Sequence, residues 1–193
     1  MKNGIIKNIK KEVLSDNWYT LNKFTFDYQR EDGLWEEQKR EVYDCGDAAA
    51  ILLIHKKEKL VVLTRQFRMP TYQNAHKSGM LIEVCAGLLD GDSPEVCIKK
   101  EVLEETGYKI ERVSKVFESF MVPGTVMQKI HFFIGYIDDA VIVNEGGGAE
   151  DETENIELLN LPFETAFKMI GSGEIIDGKS IMLLQHAKIH QLC

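Results

Sequence analysis

Residues 86–108 read AGLLDGDSPEVCIKKEVLEETGY. The stretch divides into a turn-rich half and a helical half. GLLDGD at 87–92 predicts a loop. Ser93 can cap a helix by accepting a bond from its first free N–H groups. Pro94 suits the first turn, where no backbone donor is needed. Apolar residues at 96, 98, 102 and 103 predict an inner face that runs to Thr106. Gly107 predicts the stop, because the residue after a helix often turns left-handed. Within this helix Glu101 and Glu105 stand four apart, so they share a face about one turn, or ~6 Å, apart along the axis. Like charges at that spacing cost a helix about 0.2–0.5 kcal/mol. A hard cation between them would offset the repulsion, and oxygen is the ligand atom that Mg²⁺ prefers. Glu104 lies beside them. Lys100, four residues before Glu104, has the spacing of an ordinary surface ion pair. An isolated ExxxE is most often a solvated face. The loop before this one and the Glu-Glu-Thr-Gly that closes it favour a metal site.

Working outward, residues 17–27, NWYTLNKFTFD, mix aromatic, β-branched and polar residues in the alternation of a strand. REDG at 30–33 predicts a hairpin turn, and residues 35–43 resume a charged strand, giving an antiparallel sheet with one wet face. AAAILLI at 48–54 and LVVLT at 60–64 predict buried strands. Residues 71–79 predict a loop and 80–86 a further strand. Two more strands are expected near 110–119 and 130–137, and helices at 162–170 and 181–192. GGGAEDETE at 146–154 predicts a flexible acidic stretch. Its glycines follow no strand–turn–helix pattern, so they do not match a dinucleotide fingerprint. One helix among strands, with helices after them, predicts an α+β layered domain rather than regular βαβ units.

The chain has 193 residues, enough for one domain with a small N-terminal extension, and 44% are hydrophobic, as in ordinary globular proteins. A net charge of −8 argues against general affinity for nucleic acid or anionic membrane, whose phosphates call for Lys and Arg. It leaves an anionic small substrate open, because a divalent cation reverses the local field. Cys45, Cys85, Cys97 and Cys193 form no CxxC pair, and no His spacing suggests zinc. The five histidines show no pairing with Cys or Ser that would suggest nucleophilic catalysis. Cys85 and Cys97 lie among apolar residues and are expected to be buried thiols. The N-terminus has no signal-peptide pattern and no run approaches a membrane span, so a reducing cytoplasm is the expected setting.

Residues 86–108 resemble the Nudix box. That pattern has a glycine, a glutamate six residues on, then after seven more Arg-Glu, an aliphatic, any residue, Glu-Glu, any residue and Gly. Residues 100–107, KEVLEETG, fit its second half with Lys100 in place of arginine. In the first half Asp92 stands where the family has glutamate and Ala86 where it has glycine, while Gly87 is one position out of register. The Arg-to-Lys change puts the ion pair within the box in question. Beyond the box, SDNWYTLNKFTFDYQR, KREVYDCGDAAAILL, RQFRMPTY, LIEVCAGLLD and GEIIDGK look like the GDP-mannose pyrophosphatase branch, close to the ADP-ribose pyrophosphatases.

The resemblance implies a Nudix-type α/β/α sandwich of mixed sheet in residues 46–193. An N-terminal antiparallel β extension in residues 1–45 would serve a homodimer, with that sheet swapped. It implies Mg²⁺-dependent hydrolysis of a nucleotide sugar, GDP-mannose to GMP and mannose 1-phosphate. ADP-ribose or another nucleotide sugar is the alternative substrate, and a binding module that senses without cutting is the alternative class. By resemblance the metal ligands are Glu101, Glu105, the Ala86 carbonyl and Glu152, with Glu105 and Glu152 as catalytic groups. Substrate contacts would fall to Trp18, Lys39, Arg40, Glu41, Arg68, Ala86, Gly87, Leu88, Glu105, Gln128, Asp151 and Lys179. Relatives carry a glutamate in the loop that follows Val122-Pro123-Gly124, where this chain has Gln128. A glutamine cannot act as a base, so that work would pass to Glu152 or to water. Trp18 and Tyr19 could stack on a base or pack against other aromatics.

Overall fold

A computed structural model describes residues 5–74, 76–138, 140–148 and 155–193. The chain divides into two compact units, residues 1–47 with 120–129 and residues 48–119 with 130–193.

The first unit is an antiparallel meander of β1 (Ile6–Asp16), β2 (Thr20–Gln29) and β3 (Trp35–Asp44). Gly33 makes the β2–β3 turn in a left-handed conformation (φ 83°) and donates its N–H to the Arg30 carbonyl at 3.0 Å. Residues 122–127 add a short return of chain. Tyr43 donates to the Thr125 carbonyl and accepts from the Met127 N–H. Strand β1 was not expected from its lysine-rich sequence. It is exposed along almost its whole length, so neither face carries the apolar alternation that marks a half-buried strand. Ile6, Ile9, Val13 and Leu14 on it are exposed hydrophobics, and the Lys7 ammonium lies 3.5 Å from the centre of the Trp35 ring.

In the second unit β4 (Ala48–His55) and β5 (Leu60–Phe67) are followed by a short helix α1 (Met69–Gln73). Next come β6 (Met80–Glu83), β7 (Cys85–Leu88) and the central helix α2 (Pro94–Thr106). Strands β8 (Tyr108–Lys109), β9 (Val113–Phe120), β10 (Lys129–Tyr136), β11 (Val141–Ile142) and β12 (Glu157–Pro162) then lead to α3 (Phe163–Ser172) and α4 (Gly178–Ile189). The main sheet runs β12-β5-β4-β10-β9, with β6 beside β5 and β7 beside β4. β4 pairs parallel with β10 and antiparallel with β5 and β7, so the sheet is mixed. The whole run 48–54 is buried because both faces of β4 are covered. Ala49, Ile51 and Leu53 join a cluster with Cys97, Ile98 and Val102 of α2. Helix α4 packs on β4 and β6 and buries Leu183, Leu184 and Ala187. The fold is therefore the expected α+β Nudix-type sandwich. Among the described residues no helix is long and apolar enough to cross a membrane.

Three expectations are corrected. The stretch 80–86 is not one strand. Its first half pairs with β5 and its second, which runs on to Leu88, pairs with β4, so the chain crosses between neighbours at Val84. The loop expected at 71–79 opens on α1, which Pro70 helps start. Val96 is 48% exposed rather than part of the inner face of α2. It sits two residues, about 200° of helix, from Ile98, and the buried row is Cys97, Ile98, Val102, Glu105 and Thr106.

Candidate functional site

Helix α2 is fixed at both ends by the expected residues. The Ser93 hydroxyl accepts from the Val96 N–H, and Gly107, left-handed at φ 73°, donates to the Leu103 carbonyl at 3.0 Å. A Cβ on Gly107 would lie 2.1 Å from the Asn144 carbonyl oxygen, so no other residue fits. This frame sets the rotation of the helix against β7. Glu104 points to solvent, Glu101 is half-buried and Glu105 is 5% exposed. The Glu101 carboxyl lies against the backbone of Gly87, where an added Cβ would come within 2.0 Å of its Cδ and Oε1. The Nudix pattern has its glycine at the position of Ala86, yet the residue that must lack a side chain here is Gly87.

The two other departures in the box answer each other. The Lys100 ammonium donates to Asp92 Oδ2 at 2.8 Å. The ion pair survives with lysine and aspartate where the pattern has arginine and glutamate. The bond to Asp92 holds the lysine ammonium above its ordinary pKa. The expected surface pairing of Lys100 with Glu104 yields to this contact.

Two buried thiols lie beside the glutamates. Burial pushes the Cys85 thiol well up, and the Glu105 carboxylate, hydrogen-bonded to it, and Glu101 add to the shift. Burial likewise pushes Cys97 up to about 12, helped by Glu101, Asp92 and Asp90. Both therefore stay protonated donors, and Cys97 Sγ donates to the Leu88 carbonyl at 3.2 Å. Burial is the main reason the thiols stay neutral, and the carboxylates of Glu101 and Glu105 beside them are the groups that attract a divalent cation. The adjacent carboxylate oxygens are hard donors of the kind Mg²⁺ takes. Among the described residues no three His, Cys, Asp or Glu side chains converge as a metal cluster. A cation on Glu101 and Glu105 would draw its remaining oxygens from backbone carbonyls, water, substrate or a carboxylate outside those residues.

The helix C-terminus also bonds the glycines that open the acidic stretch. Gly147 and Gly148 donate to the carbonyls of Glu105 and Glu104 at 2.8 and 3.2 Å. Gly147 in turn accepts from the Ile156 N–H at 3.3 Å. The two stems of the segment thus meet at Gly147, which is itself bonded to the Glu105 carbonyl. Asp151 and Glu152 lie outside the described residues.

A second group surrounds Glu83, a residue that no sequence motif marks. Arg68, just after β5, donates Nε to Glu83 Oε2 at 2.7 Å, and Lys179, in the first turn of α4, donates Nζ to Glu83 Oε1 at 3.0 Å. Lys179 also binds Asp177 Oδ1 at 2.8 Å. Asp177 caps α4, accepting from the Ser180 N–H and hydroxyl at 2.9 and 2.7 Å. Burial opposes ionisation of Asp177, but the Lys179 ammonium and the Ser180 bonds outweigh it and hold the carboxyl below its usual range. Burial likewise opposes the charge on Lys179, and Asp177 and Glu83 more than restore it. The available signal was a lone carboxylate in the apolar run LIEV, since a buried charge demands partners.

Trp18, Lys39, Arg40 and Glu41 belong to the first unit. Trp18 is 85% exposed and makes an edge contact with Tyr19. Lys39 pairs with Glu37, and Arg40 donates to Gln38 and to the Lys39 carbonyl. Glu41 is exposed on β3. Gln128, in the same unit, donates Nε2 to the Gly46 carbonyl at 3.0 Å. In the second unit Ala86 and Leu88 lie on β7, paired with Ala50 and Ala48 of β4.

Comparison with known proteins agrees with this geometry. A family model described as the NUDIX domain matches residues 46–182, and one described as the GDP-mannose pyrophosphatase NudK N-terminal domain matches residues 5–43. A protein of Pectobacterium atrosepticum named GDP-mannose pyrophosphatase is 52% identical over 181 residues, 94% of this chain and 93% of its own. One of the same name from Escherichia coli is 53% identical over 184 residues, 95% of each chain. A solved structure titled as an ADP compounds hydrolase superposes with a TM-score of 0.75 over 100% of this chain and 97% of its own. At 17% identity that likeness speaks for the fold.

Proposed function

The chain belongs to the Nudix family, and on that footing we propose that it is a Mg²⁺-dependent hydrolase of nucleotide sugars. It cuts the pyrophosphate bond of GDP-mannose to give GMP and mannose 1-phosphate. The observation that carries the reading is the pair Glu101 and Glu105 on one face of α2, the first against Gly87 and the second buried. Relatives named GDP-mannose pyrophosphatase, matched over nearly the whole length, support the choice of substrate.

Glu101 and Glu105 hold the cation, with the Ala86 carbonyl and Glu152 completing the protein ligands. For Glu152 the support is that the stems of its segment meet at Gly147, whose N–H bonds the Glu105 carbonyl. When bound, the metal polarises the diphosphate and makes an attacking water more acidic. Arg68 and Lys179 place fixed positive charge for the phosphate oxygens, the positioning and electrostatic terms that dominate phosphoryl chemistry. Glu105 or Glu152 takes the proton from water. Gln128 has no carboxylate and binds rather than acts as a base. Gly87, Leu88 and Asp151 border the substrate, and Trp18, Lys39, Arg40 and Glu41 contribute contacts from the N-terminal region.

That region, residues 1–45, serves a homodimer in this proposal. The exposed Ile6, Ile9, Val13 and Leu14 of β1 support a surface that a second copy covers. Sedimentation at micromolar concentration should give twice the 22.0 kDa chain mass, and a monomer would refute the dimer. Four free cysteines fit a reducing cytoplasm.

Turnover of GDP-mannose, ADP-ribose and UDP-glucose at equal Mg²⁺ tests the substrate. GDP-mannose should lead in kcat/KM by about tenfold or more, the discrimination a few pocket contacts give. A lead for ADP-ribose would reject GDP-mannose and leave the reaction type standing.

A further inference from the structure

Glu83 touches both cations assigned above to the diphosphate, and it does so from beneath. Its side chain is 5% exposed, whereas that of Arg68 is 41% exposed. Each carboxylate oxygen takes one cation, Oε2 the Arg68 Nε and Oε1 the Lys179 ammonium. The two cations come from positions 111 residues apart in the chain (179 − 68), and this one carboxylate bridges them. A guanidinium held through Nε has its plane fixed, which a lysine in its place would not provide. Lys179 is held from its other side by Asp177, itself locked by two bonds from Ser180.

The same turn of α4 grips the active-site strand. The buried Val84 N–H donates to the Ser180 hydroxyl at 2.8 Å, at the crossing between β6 and β7. Cys85, Ala86 and Gly87 follow directly, and Gly87 faces Glu101. Glu83 therefore stands where the two cations and the strand beneath the glutamate pair are joined.

We infer that Glu83 is a positioning residue for the hydrolysis, a buried carboxylate that holds Arg68 and Lys179 as a preorganised pair of cations for the substrate diphosphate. The inference rests on the proposed phosphate-binding role of Arg68 and Lys179. Fixing the pair before substrate arrives removes the cost of ordering two long side chains at binding. The role is thus read in KM more than in kcat.

A double-mutant cycle with GDP-mannose and saturating Mg²⁺ tests it. Glu83→Gln keeps the shape but removes the charge and one acceptor. It should raise KM about tenfold with kcat within about threefold, the signature of lost ground-state binding. In an Arg68→Ala background the same change should raise KM by less than about threefold, because the two residues act as a unit. A carboxylate that only supports the fold would lower the melting temperature and the active fraction, leave KM alone and act additively with Arg68→Ala; that result overturns the inference. Should Glu83→Gln not fold, Glu83→Asp keeps the charge but falls short by one methylene. It should raise KM in the same direction, and a wild-type KM in a folded Glu83→Asp also overturns the inference. If Arg68→Ala and Lys179→Ala leave KM unchanged, the phosphate-binding reading itself fails and takes this inference with it. If they raise KM and folded Glu83 variants do not, only the inference fails.

Discussion

Glu105→Gln is expected to lower kcat about a thousandfold at saturating Mg²⁺, while in the absence of divalent metal the protein melts no earlier than the wild type. The size follows from removing a group that holds the charge-stabilising cation in the transition state, where single electrostatic contacts contribute about 10²–10³ in rate. The stability half follows from the surroundings. Glu105 is 5% exposed on the inner face of α2, one turn from Glu101. Repulsion at that spacing costs about 0.2–0.5 kcal/mol, and burial of the charge adds to it. A glutamine of the same shape relieves both and can still accept the bond from Cys85. Loss of activity with an unchanged or raised melting temperature is the mark of a charge kept for function at the expense of the fold. Steady-state turnover with Mg²⁺ and calorimetry in chelator, on one preparation, measure both. Full Mg²⁺-dependent activity in Glu105→Gln would remove Glu105 from the site.

Gly87→Ala should cost about a hundredfold in activity and raise the Mg²⁺ concentration needed for half-maximal rate. The new Cβ would lie 2.0 Å from Cδ of Glu101, so the carboxyl must swing away. The end of a flexible side chain moves cheaply, so the fold should survive. A misplacement of about 1 Å at a reacting centre nevertheless commonly costs about 10²-fold. Gly171→Ala is the control, since its Cβ meets nothing within 4 Å and its φ is not in the left-handed region. It should keep wild-type rate and wild-type Mg²⁺ dependence. A Gly87→Ala enzyme with wild-type Mg²⁺ dependence would mean that the Glu101–Gly87 contact does not set the metal site.

The parts of this site that were legible in the sequence are local ones. Ser93, Pro94 and Gly107 announce the ends of α2 because capping depends on neighbours in the chain. The shared face of Glu101 and Glu105 follows from helical pitch alone. The same pitch sets Val96 about 200° from Ile98, away from the buried row. The box as a pattern located the acidic pair but misplaced its glycine. Counting puts that position at Ala86, whereas the steric need at Gly87 arises from how closely α2 lies on β7. The Lys100–Asp92 pair spans eight residues and shows two departures from the pattern compensating one another. Long-range features left little trace. The run MLIEVCA reads as one strand because its two halves differ only in which neighbour they pair with. Strand β1 was invisible because it buries almost nothing. Glu83 meets Arg68 fifteen residues away and Lys179 ninety-six away, so only the oddity of a carboxylate among Leu81, Ile82 and Val84 hinted at it.

Product identification after incubation of the wild-type protein with GDP-mannose and Mg²⁺ tests the central claim most directly. Mass spectrometry should find GMP and mannose 1-phosphate in equal amounts, and neither should form when a chelator replaces Mg²⁺. GDP with free mannose would place the cut at the glycosidic bond and contradict the account. Tight binding of GDP-mannose with no product would contradict it equally.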